Sequence, residues 1–190
     1  QPGLVFQGNG QITIQDFEAN SFSSSPLLRF TDNDQTIAQN LKIENGASGV
    51  IGIQLDDGTS SNVTITNLTL TNIPYLVNVG ISSNLELVDS TFNQFTTGLS
   101  GVGAISLQNC TFQDGSQAAD LSGSSNFTVR DSKFDQCSTG CIKMSNITGY
   151  FFNTTFSNCG GDVMGHTGGC LELYIGDGDS HATVDRLHVY

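Results

Sequence analysis

The sequence predicts an all-β solenoid, a parallel β-helix of about eight coils with an Asn/Asp corner ladder and a stacked Phe core. Two observations predict it. Segments 65–72, 87–94, 107–114, 129–136 and 151–158 repeat one pattern at intervals of 20 to 22 residues: an apolar residue, an Asn or Asp two places on, an apolar residue three further, and a polar residue two after that. A unit of this length cannot bury an apolar face alone and must stack on copies of itself. The composition agrees, since Thr, Ser, Asn, Gly, Val, Ile and Phe dominate while the good helix formers Lys, Glu, Ala and Met are few. At 190 residues the chain is one domain, 1–190, with its best-defined coils over 37–158 and irregular coils over 1–36 and 160–190.

Aligned, the repeats form columns. Leu70, Phe92, Phe112, Phe134 and Phe156 make one, Ile65, Leu87, Leu107, Val129 and Phe151 a second, and Val63, Leu85, Ile105 and Phe127 a third. The third and second columns are two residues apart, the period of a strand with one buried face. Three residues then separate Ile65 from Leu68, so the strand must bend. At the bend stand Asn40, Asn67, Asp89, Asn109, Asp131 and Asn153, residue types that tolerate left-handed backbone and bond to nearby backbone. Near the C-terminus residues 184–189 fit the frame with Arg186 at the corner, after a longer coil.

The columns also sort the cysteines and the glycosylation sequons. Cys137 lies in one column with Cys159, and Cys141 in one with Cys170. Neighbouring strands place such residues about 4.8 Å apart, within the range of about 4.4–6.8 Å that a disulfide spans, so bridges 137–159 and 141–170 are expected. Cys110 is left as an inward thiol, sharing a column with Leu68, Ser90, Ser132 and Thr154. Six Asn-x-Thr sequons begin at Asn62, Asn67, Asn109, Asn126, Asn146 and Asn153. Asn67, Asn109 and Asn153 belong to the corner ladder, where a glycan would destroy the stacking if the side chains turn inward, and are the less favoured sites. Asn62, Asn126 (in one column with Asn84) and Asn146 fall in turns or loops and are the expected sites.

The formal net charge of −12, with six Lys plus Arg, excludes nucleic acid as a partner and disfavours anionic membranes. No apolar run of 18 residues predicts membrane insertion. The chain opens at Gln1, as a processed product or a piece of something longer would. The sequons point to an extracellular or cell-surface glycoprotein.

The corner ladder and its flanking columns resemble the asparagine ladder of right-handed parallel β-helices of the pectate-lyase-like superfamily, over about residues 37 to 158. That resemblance implies a right-handed coil and raises the question of polysaccharide cleavage. Glycoside hydrolysis needs two carboxyls on one face. The candidate pairs are Asp32 with Asp34, Asp56 with Asp57, and Asp177 with Asp179. The motif series of pectin hydrolases is approached, in order, by 32–34, 56–57, 165–167 and 186–187, but His166 follows the acidic pair by about 110 residues, five coils away. A lyase would need a base, and Arg130, Lys133 and Lys143 are the candidates. His181 and His188 complete the histidines, with no zinc-ligand spacing. No cofactor is expected, and Asp177 and Asp179 are the one candidate pair for calcium.

The Phe-rich Asn-Cys-Thr-Phe repeats, with 103–105 and 168–171 approaching a Gly-Gly-Ala-Ile motif, resemble β-helical surface adhesins such as chlamydial polymorphic outer-membrane proteins. The expected function is therefore structural or adhesive and non-catalytic: a surface or filament subunit that associates end to end or joins further domains of a longer chain. A polysaccharide lyase or hydrolase, or a fragment of one, is the alternative. A glycan-binding module is the second alternative, for which Tyr75, Tyr150, Tyr174 and Tyr190 are the available aromatics.

Overall fold

In a computed structural model the chain is a parallel β-solenoid of about seven turns. The structure describes residues 3–8, 10–32, 35–56, 61–123, 126–160, 171–174 and 181–189. Among these there are nineteen strands and no helix. They stack in eight levels, and eight levels enclose seven complete turns, which is the difference from the eight coils expected.

Each level has three faces. The first carries the strand that enters the corner, for example Asn84–Val88, Ala104–Gln108 and Asn126–Arg130. The second carries the short Phe strand, Thr91–Asn93, Thr111–Gln113 and Lys133–Asp135. In other levels one strand runs through both faces, as in Gln11–Phe22, Gln35–Gly46, Asn62–Thr71 and Thr148–Ser157, with His181–Val189 last. The third face is a separate eight-stranded sheet of Leu4–Gln7, Leu28–Thr31, Ile51–Leu55, Tyr75–Val79, Thr97–Gly101, Gln117–Ser122, Gly140–Ser145 and Leu171–Tyr174.

The register follows the sequence columns. Leu70 pairs with Phe92, Phe92 with Phe112, Phe112 with Phe134 and Phe134 with Phe156. The rings of Phe92, Phe112, Phe134 and Phe156 stack at successive centroid distances of 4.3, 5.1 and 5.0 Å, all fully buried. Regular coils also begin earlier than the sequence indicates. Gln11–Phe22 pairs along its length with Gln35–Gly46, placing Ile12, Ile14, Phe17 and Ala19 in the apolar columns and Asp16 at the corner. Longer coils of 24 and 27 residues between Asp16, Asn40 and Asn67 hide this register in the sequence.

Two corners per level carry left-handed backbone. At the first, Asp16, Asn40, Asn67, Asp89, Asn109, Asp131, Asn153 and Arg186 have φ of 47–57°. At the second, five residues on, Ser21, Asn45, Asn72, Gln94, Asp114, Gln136 and Asn158 have φ of 51–59°. This second column is the last polar position of the repeat, which the sequence pattern contains without marking it as a corner. On the third face Gly101 has φ of 121°, and a Cβ there would collide with the Val79 carbonyl oxygen, so that position requires glycine.

Behind the first corner lies a column of small buried side chains, Ser90, Cys110, Ser132 and Thr154. Ser90 Oγ donates to the Val88 carbonyl (2.9 Å) and accepts the Leu68 N–H of the level below (3.2 Å). Ser132 Oγ does the same with the Arg130 carbonyl (2.7 Å) and the Cys110 N–H (3.0 Å). The bend takes these amides out of the strand ladder, and the side chains supply the partners that buried backbone requires. Cys110 is thus an inward thiol as expected, with a definite role: its Sγ donates toward the Gln108 carbonyl (3.4 Å) and accepts the Ser90 N–H. Burial pushes this thiol up to about 11, so it stays protonated and unreactive.

The disulfide differs from the expected pairs. Cys141 bonds to Cys159, with Cα atoms 6.1 Å apart, in place of 137–159 and 141–170; Cys170 lies outside the described residues. The columns themselves are as read. The Gly160 N–H donates to the Cys137 carbonyl (2.8 Å), and Ile142 pairs with Leu171. Stacked side chains point in parallel, however, and a bridge needs Cβ vectors that converge. Cys141, four residues beyond Cys137 around the turn onto the third face, meets Cys159 across the interior angle.

Two outcomes follow. Phe112→Ala removes the centre of the ring stack and should lower unfolding free energy by roughly 3–5 kcal/mol in denaturant titration. Cys110→Ser should stay close to wild type, because a hydroxyl serves the same two backbone groups. Cys110→Ala should lose about 1–3 kcal/mol by leaving the Ser90 N–H buried without a partner.

Candidate functional site

The corner ladder faces solvent. Asn67, Asn109 and Asn153 are exposed, and the side-chain amides bond from level to level. Asn40 Nδ2 donates to Asp16 Oδ1 (2.8 Å), Asn67 to Asn40 (2.9 Å), Asn109 to Asp89 (2.7 Å) and Asn153 to Asp131 (2.7 Å). The inward side of the bend is taken by the Ser/Cys column, and the ladder side chains turn outward. Partial amide ladders also run at the second corner, where Asn72 Nδ2 donates to Asn45 Oδ1 (2.9 Å), and at the start of the first face, where Asn84 Nδ2 donates to Asn62 Oδ1 (2.7 Å).

The first face holds a shallow groove of about 360 Å³. Its ends are marked by Asn62 with Thr64 and by Asn126 with Thr128, and Asn84 and Glu86 line it beside the small side chains Ala104 and Ser106. The groove exists because these small residues lie between larger ones in the same columns. Thr64 Oγ1 donates to Glu86 Oε2 (3.2 Å). Among the described residues Glu86 is the one ionisable group lining it, so these offer hydrogen bonds to a hydroxyl-rich ligand but no pair of acids. A smaller hollow of about 170 Å³ adjoins it at Tyr150 and Phe152. Arg186 lies 4.4 Å and Arg130 5.8 Å from the Phe152 ring centroid.

Asp56, one of the candidate acids, and Asp135, which the sequence did not single out, are built into structure. Arg29 Nε donates to both Asp56 oxygens (2.9 and 2.8 Å), Thr31 Oγ1 donates at 2.7 Å and Gln54 Nε2 at 3.2 Å. Burial pushes Asp56 upward, and the bonds from Arg29, Thr31 and Gln54 together outweigh it, holding the carboxyl below its ordinary range. The same bond and charge raise Arg29. Asp135 is held down to about 2 by hydrogen bonds from Lys133, Asn158 and Ser157, each 2.8 Å. Both carboxylates are ionised and occupied, the opposite of a poised general acid.

The candidate bases are dispersed. Arg130 leaves the first face, Lys133 pairs with Asp135 on the second, and Lys143 stands 4.0 Å from Asp120 on the third. The corner at Asp131 separates Arg130 from Lys133, which sequence adjacency conceals. Asp32 is exposed and left-handed, with φ of 53°. Asp34, Asp57, His166, Asp177, Asp179 and Tyr190 lie outside the described residues; His181 and Tyr174 are described as strand backbone only, and His188 is exposed. Tyr75 is 42% and Tyr150 45% exposed. Among the described residues no three His, Cys, Asp or Glu side chains gather as metal ligands, and no helix is long and apolar enough to cross a membrane.

Comparison with protein-family models, with curated proteins and with solved structures gives no match.

The depressed Asp135 fixes a pH window. A carboxyl lowered from its ordinary 3.8 to about 2 on folding adds stability that is present above its unfolded value and lost as pH falls through its folded one. Unfolding titrations should show stability dropping between about pH 4 and pH 2, with Asp135→Asn dropping less across that window than wild type.

Proposed function

We propose that the chain is an extracellular structural or adhesive β-helix of the right-handed, pectate-lyase-like kind, a non-catalytic surface or filament subunit whose levels continue end to end into another copy or into further chain. The observation that carries this reading is the gradient of burial along the stack. In the first level Leu4 is 43% exposed, and Phe6, Ile14 and Phe17 are half-buried. One level on, the matching Leu28, Phe30, Ala38 and Leu41 are buried. An exposed apolar level is a template for another level, and head-to-tail contact that does not close into a ring gives a filament.

Asp56 supports the non-catalytic half of the reading, since it is committed to an ion pair with Arg29. The Cys141–Cys159 bridge fits an oxidising compartment. A second reading, a glycan-binding module, is favoured by the exposed Tyr150 ring beside the polar groove.

Sedimentation velocity at micromolar concentration tests assembly. The wild-type chain should form linear oligomers, and Leu4→Lys, which places a charge at the exposed first level, should shift them to monomer. A wild-type monomer at every concentration would remove the filament reading, and turnover of an acidic polysaccharide would replace it with the enzymatic one.

A further inference from the structure

All six sequons border the first face. Asn62 and Asn126 stand at its starting margin, Asn146 in the turn leading to Thr148–Ser157, and Asn67, Asn109 and Asn153 at the corner that closes it. The two margins differ in backbone conformation. At the corner each sequon Nδ2 donates to the residue one level below, from a left-handed backbone with φ of 57°, 52° and 47°. At the starting margin Asn62 and Asn126 begin strands, both are exposed, and Asn62 serves Asn84 through its oxygen. The polar groove runs between these two residues. They are three levels apart, about 14 Å at the strand spacing, and each end also contains the sequon threonine, Thr64 or Thr128.

We propose that Asn62 and Asn126 carry N-linked glycans and that the first sugars of these glycans lie in the groove between them, over Ala104 and Ser106. The groove volume of about 360 Å³ falls at the lower end of small-molecule sites. Its lining of amides, hydroxyls and one carboxylate matches the hydroxyl and acetamido groups of N-acetylhexosamine. In the transfer, the Nδ2–C1 bond forms as the C1–O bond of a glycosyl diphosphate donor breaks; Nδ2 loses one proton, the diphosphate leaves, and no electrons are gained or lost. The first face becomes a glycan-covered surface, while the second and third, which carry neither Asn62 nor Asn126, stay open to protein contacts. This inference rests on the extracellular reading.

The test uses the chain secreted from a eukaryotic host, with its Cys141–Cys159 bridge verified by peptide mapping. Site mapping after enzymatic deglycosylation should find Asn62 and Asn126 occupied and Asn67, Asn109 and Asn153 largely not, with Asn62→Gln and Asn126→Gln each removing one glycan. Glycan release from the folded protein should be about tenfold slower than from denatured protein, as protection by native structure requires. Ala104→Phe, which fills the groove, should leave occupancy unchanged and bring the folded release rate close to the denatured one. Empty Asn62 and Asn126 on a secreted, bridged chain would overturn the proposal and leave the extracellular reading standing, as would occupancy concentrated at the corner or equal release rates. Reduced cysteines in material from the natural source would remove both.

Discussion

The left-handed corner is the constraint on which the rest depends. Two of the bends around a level place one residue each in a backbone conformation that costs an ordinary L-residue roughly 1–2 kcal/mol. Asn and Asp are the side-chain-bearing residues most at ease there, and stacking adds the amide bonds Asn67 to Asn40, Asn109 to Asp89 and Asn153 to Asp131. The same bend takes the following N–H out of the strand ladder, which calls for Ser90, Cys110 or Ser132 on the inner side. It also turns the next residue pair so that a large apolar side chain, Phe in four of the levels, points at the axis. One geometric demand thus accounts for three of the repeat's positions.

That coupling explains what the sequence discloses. The columns of Ile65, Phe92 and Asn67 are legible because each obeys a single physical rule: apolar inward, apolar at the axis with Phe in four levels, left-handed at the bend. The second corner is harder to see, because Ser21, Gln94, Asp114 and Gln136 dilute the Asn signal of Asn45, Asn72 and Asn158. The outward direction of the ladder is hidden for another reason. Period-two alternation fails at a corner, so counting residues from Ile65 does not say on which side Asn67 falls; the buried Ser column does. The Cys141–Cys159 bridge is illegible in an alignment, because alignment compares residues along the stack and this bond crosses between faces.

The candidate sites divide along the same line. Arg130 and Lys133 read as a basic pair in sequence, and the corner between them sends one to the first face and the other to the second. Asp56 reads as half of a catalytic pair, but the third-face register sets Arg29, Thr31 and Gln54 around it. What no motif announces is the groove, which comes from the small size of Ala104 and Ser106 relative to their stacked neighbours. Its signal is a volume difference down a column, visible only once the register is known.

Stacking at about 4.8 Å has a further cost that the charge pattern resolves. A solenoid that repeats a carboxylate in every level would set like charges side by side, each contact worth about 1 kcal/mol even at the dielectric of water, and this chain carries a net charge of −12. In the corner column the order Asp16, Asn40, Asn67, Asp89, Asn109, Asp131, Asn153 never places two acids on neighbouring levels. Each Asp that follows an Asn interrupts the amide ladder, since a carboxylate cannot donate to the level below, and each then accepts from the Asn above it. Elsewhere on the second face Lys42 pairs with Glu44 and Lys133 with Asp135 inside single strands. The ladder is therefore a compromise between two stacking energies: continuous amide bonds, which favour Asn in every level, and an acidic surface, which the alternation permits without adjacent carboxylates.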